Sequence, residues 1–409
     1  MKKLFLFALL AALCCSCTES NTDENTDPNG GSNSGQTTPP DPDSDAKDVI
    51  HVPKGGMLAG ILNELGLTEP SSLKLSGTLG ISDFTTLRNI QSLEHLDISR
   101  VNLSVLPTEA FLKCTNIKSV TLPNTLTAIG TQAFCGSSLV SISIPAGVKT
   151  IGNGTFNLCT SLQTVTFEKG SQLKAFENSS GWGGVFQSCT SLTTIEIPAS
   201  VETIGYNAFF GCSSLKTVTF EKGSQLKTID GFESCTSLTT IEIPASVETI
   251  KYSAFNGCTS LKTVTFEKGS QLKTVDGFKS CRSLTTIEIP ASVETIKYSA
   301  FNGCTSLKTV TFEKGSQLKT VDGFSNCTAL TTVDMSACTQ VTRIEYRAFY
   351  EDSKLQLFKI GTRTPPSCGD DVFTGINSYS VLKVPAGCVD AYKNAYGWKG
   401  FTTISELDE

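Results

Sequence analysis

The chain contains a 46-residue segment that is repeated almost without change. Residues 238–283 and 284–329 differ at only four positions near their ends, and residues 192–237 form a third, more divergent copy. A fixed period constrains the fold more than composition does, because every copy must present an equivalent surface to its neighbours. It also favours a binding function, since an array offers one surface many times whereas an enzyme pocket is built from dissimilar residues.

Each 46-residue copy divides into two units of 23 residues. Leucines open the regular units at Leu192, Leu215, Leu238, Leu261, Leu284, Leu307 and Leu330. Less regular units open at Leu93, Ile117, Leu139, Leu162 and Leu355, and Leu73 is a candidate for the first. The spacing predicts a stack of about twelve or thirteen units, because periods of 20–50 residues are typical of solenoids.

The first unit of each pair predicts a short strand followed by a turn. The stretch LTTIEIP at 192–198 alternates apolar and polar residues, as a strand with one buried face does. Pro198 removes a donor and turns the chain outward. The apolar positions that follow are expected inside the coil: Val201, Ile204, Ala208, Phe209 and Cys212.

The second unit of each pair distributes its residues differently. Its turn, Glu221 to Gln225, is longer by two residues, and the next segment, Asp230 to Phe232, is shorter by two. Phe232 therefore regains the register of the first unit. A stack of coils with constant circumference requires this compensation. No unit can bury its apolar face alone, so the stacked neighbours must share one core.

The motif L-x-x-I-x-I-P-x-x-V-x-x-I-x-x-x-A-F-x-x-C-x-S/T-L occurs at 192–215, 238–261 and 284–307. It resembles the BspA-like leucine-rich repeat family of bacterial surface proteins, over roughly residues 67–409. The units that contain EKGSQL lack the proline, and residues 162–191 depart from the pattern. That family is associated with adhesion to host matrix proteins and to other bacteria, so the resemblance implies a binding protein without naming its ligand.

The predicted fold is an α/β repeat solenoid. We expect a leucine-rich repeat horseshoe with a parallel concave sheet and few short helices or turns on the convex side. Residues 48–92 are predicted to form an N-terminal cap with the first divergent repeat, residues 93–380 the array, and residues 381–409 a C-terminal cap. Trp398 and Phe401 are expected to cover the final coil.

The N-terminal sequence predicts export. Two lysines precede an apolar run from Leu4 to Leu13, which is too short for a membrane-spanning helix and indicates a signal peptide over residues 1–16. The following cysteines resemble the lipobox of bacterial lipoproteins. The resemblance implies lipidation of Cys17, with Cys15 as the alternative acceptor. A plain secretory signal is the competing interpretation.

Residues 17–47 are predicted to be the lipidated cysteine and a disordered tether, because they are polar and rich in Gly, Pro, Ser and Asp. The acidic residues that follow Thr18 resemble the start of some Gram-negative lipoproteins that reach the outer surface. This implies an outer-membrane protein anchored by lipid and exposed at the surface. Alternatively, these acidic residues only keep a linker solvated.

The chain has sixteen cysteines, which in an exported protein suggests disulfides. Their regular position in successive units favours buried, free thiols instead. No metal site is predicted, because the region after Cys17 has no C-x-x-C and the chain has two histidines. No cofactor is predicted either.

Outward-facing strand residues are the candidate ligand-binding surface. Threonine, lysine and glutamate columns are expected on the concave face: Thr193, Thr194, Glu196, Lys216, Thr217, Thr219, Thr239, Thr240, Glu242, Lys262, Thr263, Thr285, Thr286, Glu288, Lys308 and Thr309. Such a face can bind an extended partner through many weak contacts. The competing interpretation is a solvated sheet face on which threonine serves β-propensity alone.

Two aromatic features lie outside those columns. Trp182, in an insertion that makes its unit 30 residues long, is a possible loop anchor, or it shields the irregular coil. Tyr206, Tyr252 and Tyr298 recur in every second coil and form a second candidate stripe, or they pack between coils.

No catalytic site is predicted, because His51 and His95 lack a visible nucleophile partner and no nucleophile elbow or phosphate loop occurs. A net charge of −6 disfavours nucleic acid as a partner. The sequence favours an adhesin that recognises a host matrix protein or cell-surface partner. The alternatives are a glycan-binding lipoprotein of an uptake system and a structural envelope protein.

Overall fold

The structure, a computed structural model, describes residues 48–177, 183–298 and 300–408. Residues 48–409 form one compact unit. The predicted signal peptide at 1–16, the lipidated Cys17 with its tether to residue 47, and Trp182 lie outside the described residues.

One row of parallel strands, the long-strand row, runs along the array. Its members are Val49–Val52, Ser72–Gly77, His95–Val101, Ser119–Thr121, Ser141–Ile144, Thr164–Phe167, Thr194–Ile197, Thr217–Phe220, Thr240–Ile243, Thr263–Phe266, Thr286–Ile289, Thr309–Phe312, Thr332–Met335, Leu357–Ile360, Val381–Val384 and Thr403–Glu406. Every hydrogen-bonded pair in this row is parallel, for example Thr194 opposite Thr217.

A second row, the short-strand row, contains two-residue strands, which are also parallel. Its members are Val105–Leu106, Ala128–Ile129, Thr150–Ile151, Ala175–Phe176, Thr203–Ile204, Thr228–Ile229, Thr249–Ile250, Thr274–Val275, Thr295–Ile296, Thr320–Val321, Arg343–Ile344 and Ser367–Cys368. From Ala175 to Cys368 the row is one uninterrupted nine-stranded sheet. Each of the twelve coils from His95 to Cys368 therefore contributes one strand to each row.

The two rows confirm a parallel solenoid, with about 15 coils of about 23 residues. The predicted count of twelve or thirteen was wrong, because the end segments also carry strands of the array. Val49–Val52 pairs with Ser72–Gly77, and Val381–Val384 pairs with Thr403–Glu406. The horseshoe curvature, the concave side and the domain boundaries stay predictions.

Helices are few and short in the described residues, as expected. They are Leu58–Glu64, Ile81–Asn89 and Val389–Asn394, with a 3-10 helix at Trp398–Gly400. Buried Asp83 fixes the N-terminal end, since its carboxylate accepts the backbone N–H of Gly56, Leu58 and Gly80 at 2.6, 3.0 and 2.8 Å. One side chain thus joins two loops and a helix start at the first coils.

A continuous stack of phenylalanines forms the centre of the core. Successive ring centroids lie 4.9–5.7 Å apart and the planes differ by at most 15°. Its members are Phe111, Phe134, Phe156, Phe186, Phe209, Phe232, Phe255, Phe278, Phe301, Phe324, Phe349 and Phe373. The expected register of Phe209 and Phe232 is confirmed, with 4.9 Å between their rings.

The ends of this stack are covered by other aromatic rings. Phe84 meets Phe111 edge-on at 5.6 Å. Trp398 and Phe401 lie against Phe373 at 5.3 and 4.9 Å and are 0% and 4% exposed, as predicted for a cap. The indole N–H donates to the carbonyl of Pro366 at 3.0 Å, so the ring is buried without an unpaired polar group.

A column of cysteines connects neighbouring coils. The thiol of Cys212 donates to the carbonyl of Phe186 in the preceding coil at 3.1 Å, and that carbonyl also accepts the N–H of Cys189. Cys258 repeats the contact with Phe232 at 3.1 Å, and burial raises its pKa to about 12. The thirteen cysteines in the described residues are free, as predicted.

Glycine marks the close contact between the two kinds of unit. Gly323 has φ +81°, and a Cβ built there would lie 2.2 Å from the carbonyl oxygen of Lys297 in the preceding coil. Gly277 repeats this geometry against Lys251 at 2.1 Å. The shortened Asp-Gly-Phe segment therefore passes directly against the backbone of the longer unit, which a side chain would prevent.

We predict that Gly323→Ala lowers the free energy of unfolding by roughly 2–4 kcal/mol, since it adds a steric clash to a left-handed backbone. Gly315→Ala is the matched control, because Gly315 has φ +83° but no atom within 4 Å of the place that a methyl group would occupy. The control should lose only about 1 kcal/mol. Urea unfolding followed by circular dichroism measures both, and equal losses would contradict the close contact.

We also predict that deleting residues 284–329, one complete pair of units, leaves a cooperatively folded protein with a slightly lower Tm. Deleting only 284–306 should lower the Tm further, because two short-segment units then become neighbours and Gly323 loses its partner at Lys297. Thermal unfolding of the two variants distinguishes them. Aggregation of the 46-residue deletion would overturn the expectation that each coil depends only on its neighbours.

Candidate ligand-binding face

The outward side of the long-strand row is built by strict alternation. Ile195 and Ile197 are 3% and 0% exposed, whereas Thr194 and Glu196, which alternate with them along the strand, face solvent. Because successive side chains of a strand point to opposite faces, the apolar residues fix which polar residues face outward. All the predicted face residues are exposed except Thr309, which is half-buried.

The pairing register aligns the polar residues in columns. Thr240 lies opposite Thr263, and Glu242 lies opposite Thr265. The same register recurs one pair earlier and one pair later along the chain. Lys262, which precedes its strand, donates its backbone N–H to the carbonyl of Thr239 at 2.8 Å. Within each hydrogen-bonded pair of strands, the predicted alignment of threonine with threonine, lysine with threonine and glutamate with threonine is therefore present, and ligand binding there stays a prediction.

The long-strand row is interrupted at three places, which were not predicted from the sequence. The hydrogen-bonded ladder ends after Phe167, Phe220 and Phe266, and begins again at Thr194, Thr240 and Thr286. These three phenylalanines are half-buried, whereas Phe312, in the same position of an uninterrupted junction, is 7% exposed. At each interruption, a phenylalanine that packs against the core is therefore partly exposed.

A proline follows the second strand at each interruption, but Pro123, Pro145 and Pro385 hold the same position at continuous junctions, so proline alone does not open the ladder. The N–H of Glu221 donates to the carbonyl of Ile197 at 2.9 Å and closes that rung. The equivalent position of the next unit is Pro244, which has no N–H to offer Phe220. Where Ser336 occupies this position, the strand pairs with Thr309–Phe312 through three residues. The three interruptions combine a phenylalanine at the end of one strand with a proline after the next, as at Phe220 and Pro244, and this combination is visible in the sequence.

A cleft of about 350 Å³ opens at the first interruption. Phe167 and Pro198 line it together with the carboxylates of Glu168, Glu196 and Glu221. Two of these carboxylates also bind backbone, since Glu168 accepts the N–H of Ala146 at 3.2 Å and Glu221 that of Ala199 at 2.9 Å. The cleft is therefore a rigid, partly aromatic site of acidic character.

Ion pairs occur on both rows, and on the long-strand row Lys359 pairs with Asp334 at 2.9 Å. On the short-strand row, Lys227 pairs with Glu248 at 2.9 Å, and Glu294 pairs with Lys319 at 2.7 Å. A hydrogen bond and the charge of Lys319 lower the pKa of Glu294. Within the described residues, the face glutamates Glu196, Glu242 and Glu288 form no ion pair. Their carboxylates remain available to a partner.

The histidines are placed on the surface of the first coils. Nδ1 of His51 lies 3.2 Å from the hydroxyl of Ser76, and Nδ1 of His95 lies 2.8 Å from that of Ser119. In the part of the chain that the structure describes, no group of three His, Cys, Asp or Glu side chains is arranged to hold a metal ion. Within the same residues, no helix has the length and apolar character needed to cross a membrane.

Comparison with solved structures places the fold among bacterial leucine-rich repeat proteins. A leucine-rich repeat protein from Bacteroides ovatus matches with a TM-score of 0.59 and 22% identity, over 88% of this chain and 92% of that chain. The pneumococcal vaccine antigen PcpA matches with a TM-score of 0.45 and 18% identity, over 83% and 80%. None of the curated proteins matches the chain.

The repeats themselves match a defined family. The BspA type Leucine rich repeat region is found in six copies, over residues 82–180, 183–276 and 274–399. Leucine-rich repeat proteins generally mediate protein interactions or surface functions, and their solenoid is a non-enzymatic scaffold. The chain belongs to the BspA-type leucine-rich repeat family.

Proposed function

We propose that this protein is a lipid-anchored adhesin that binds a protein of the host matrix or of a cell surface through its long-strand row. The observation that carries the proposal is the set of unpaired face glutamates, Glu196, Glu242 and Glu288, among exposed threonines and lysines. The partner is a protein of extended shape with a basic or mixed charge pattern.

Repetition supports this choice of partner. Each pair of units presents the same outward residues, so an extended partner can form equivalent contacts at several points along the row. Individually weak contacts then add to a useful affinity, because each bound segment raises the effective concentration of the next. The face is polar and rigid, which favours a wide surface of hydrogen bonds over one deep pocket.

The location belongs to the proposal as well. Cys17 is the proposed lipidation site, and the polar residues up to 47 are the proposed tether that holds the array away from the outer membrane. Acylation of one cysteine with several chains provides stable anchoring, since a single chain binds a membrane only marginally. Exposure at the cell surface is required for adhesion.

We predict that Glu242→Lys with Glu288→Lys weakens binding to immobilised extracellular-matrix proteins and to host cells by roughly tenfold or more, because it reverses two unpaired charges of the face. The matched control is Glu248→Lys with Glu294→Lys, the same change six residues later on the short-strand row. The control should bind as the parent does, since exposed ion pairs add little stability.

Solid-phase binding and cell-attachment assays with the parent, the face variant and the control variant, against a buffer blank, measure this difference. If face and control variants lose binding equally, the long-strand row is not the binding surface. If the parent binds no matrix protein, host cell or partner bacterium, the adhesin function is wrong and a glycan-uptake or structural envelope role replaces it.

We predict that protease added to intact cells removes the array, because an adhesin must be accessible from outside. Detection of the chain before and after shaving, with a periplasmic protein as the intactness control, measures this. The variant Cys17→Ala should shift the chain from the membrane fraction to the medium or periplasm. Full protection of the parent until lysis would exclude adhesion.

A further inference from the structure

Four exposed tyrosines form a second regular surface, on a different side of the coil from the long-strand row. Tyr206, Tyr252, Tyr298 and Tyr346 are 52%, 54%, 62% and 48% exposed. Each follows a short strand by two residues, so all four lie at the same corner of every second coil. We name this set the tyrosine edge. The sequence pattern indicated the first three; Tyr346 was missed because its unit is less regular.

The intervening coils explain why these rings stay exposed. In a coil that carries a tyrosine, four residues lie between the short strand and the core phenylalanine. In an intervening coil only Asp-Gly lies there, so the backbone takes a shorter path. Gly277 lies so close to Lys251 that a Cβ there would be 2.1 Å from its carbonyl oxygen. Successive tyrosines are therefore separated by the shorter backbone of a buried or half-buried Asp-Gly pair, and we name each such interval a furrow.

The Asp-Gly pair of each furrow is polar and fixed. The carboxylate of Asp276 accepts the N–H of Gly277 at 2.9 Å, and that of Asp322 accepts the N–H of Gly323 at 2.7 Å. Asp230 accepts the N–H of Ser253 at 3.3 Å. Burial raises the pKa of all three carboxyls, which are half-buried or more. Each carboxylate keeps acceptor capacity towards the furrow, because one hydrogen bond uses only part of it.

Charged groups of both signs lie along the tyrosine edge, where Glu233 and Glu345 add to the aspartates and Arg347 is paired with Asp371 at 3.3 Å. Lys251 and Lys297 lie beside Tyr252 and Tyr298 in the chain and partly offset Asp230 and Asp276, whose pKa values they lower against the effect of burial. The guanidinium of Arg347 lies 4.8 Å from the ring centre of Tyr346. The cations beside these rings repel a basic ligand, and the nearby carboxylates repel an acidic one.

The spacing of the rings suits a regular polymer. Neighbouring strands lie about 4.8 Å apart, so tyrosines in every second coil repeat at about 10 Å. Two pyranose rings of an extended polysaccharide span a comparable length. Their apolar faces can stack on the tyrosines, while their hydroxyls bind the carboxylates and ammonium groups in each furrow.

We propose that the tyrosine edge binds an uncharged, extended polysaccharide that runs along the array. Charge complementarity supports this ligand, since a neutral polyhydroxyl chain uses both the acceptors and the donors of the furrows. An added peptide strand is disfavoured, because the adjacent short-strand row is hydrogen-bonded throughout and offers no open edge between Ala175 and Cys368. The proposal does not depend on the proposed adhesin function.

Affinity electrophoresis of the folded chain tests this proposal. The gels contain soluble mannan, xylan, β-1,3-glucan or β-1,4-glucan derivatives, with polygalacturonate as the acidic probe. We expect at least one neutral polysaccharide to retard the parent, and Tyr252→Ala with Tyr298→Ala to weaken binding roughly tenfold or more. Tyr252→Phe with Tyr298→Phe keeps the rings and should retain most of the binding.

Two controls separate this surface from others. Tyr379→Ala removes a tyrosine that is 85% exposed but lies off the edge, and it should bind as the parent does. Glu242→Lys with Glu288→Lys should also leave polysaccharide binding unchanged, which distinguishes the tyrosine edge from the long-strand row. Circular dichroism confirms that every variant is folded.

Four results would overturn the proposal. Retardation of the parent by no neutral polysaccharide excludes the ligand class, and retardation by polygalacturonate alone assigns an acidic glycan instead. Equal losses for Tyr379→Ala and the double alanine variant exclude the tyrosine edge as the site. Binding of a proline-rich peptide at the same rings, without binding of polysaccharide, would assign the surface to a peptide partner.

Discussion

The contact of one coil with the next through its phenylalanine and its cysteine is the constraint on which the rest of this structure depends. Phe255 stacks between Phe232 and Phe278 at 5.5 and 5.1 Å, and the Cys258 thiol binds the carbonyl of Phe232 at 3.1 Å. These contacts fix each coil in register. The outward residues of both rows then follow from alternation, so the core places the candidate surfaces before any ligand is considered.

Much of this arrangement could be predicted from the sequence, because period and alternation report burial directly. Phe209 and Phe232 differ in their local spacing, yet their compensating insertions indicated one common column, and the structure places their rings 4.9 Å apart. The exposure of Glu242 followed from its place between Ile241 and Ile243. The cysteines were expected as free thiols because they occupy the same position in successive coils.

Other features depend on relations between coils that a single unit does not reveal. Pro244 predicts a turn in its own unit, but only in combination with Phe220 of the preceding coil does it mark a junction where the ladder is open. The end strands Val49–Val52 and Thr403–Glu406 join the row by backbone pairing, although their side chains lack the repeat pattern. The ligand preference of the face is equally invisible in one unit, since threonine serves both a solvated sheet and an interface.

The interruptions of the long-strand row have a mechanical consequence. The short-strand row is hydrogen-bonded without a gap from Ala175 to Cys368, whereas the long-strand row is open after Phe167, Phe220 and Phe266. At these junctions, bending that moves the coils apart along the long-strand row stretches no backbone hydrogen bond between strands. The short-strand row stays hydrogen-bonded and forms the axis of such a bend. We therefore expect bending of the array to concentrate at these three junctions before any coil unfolds.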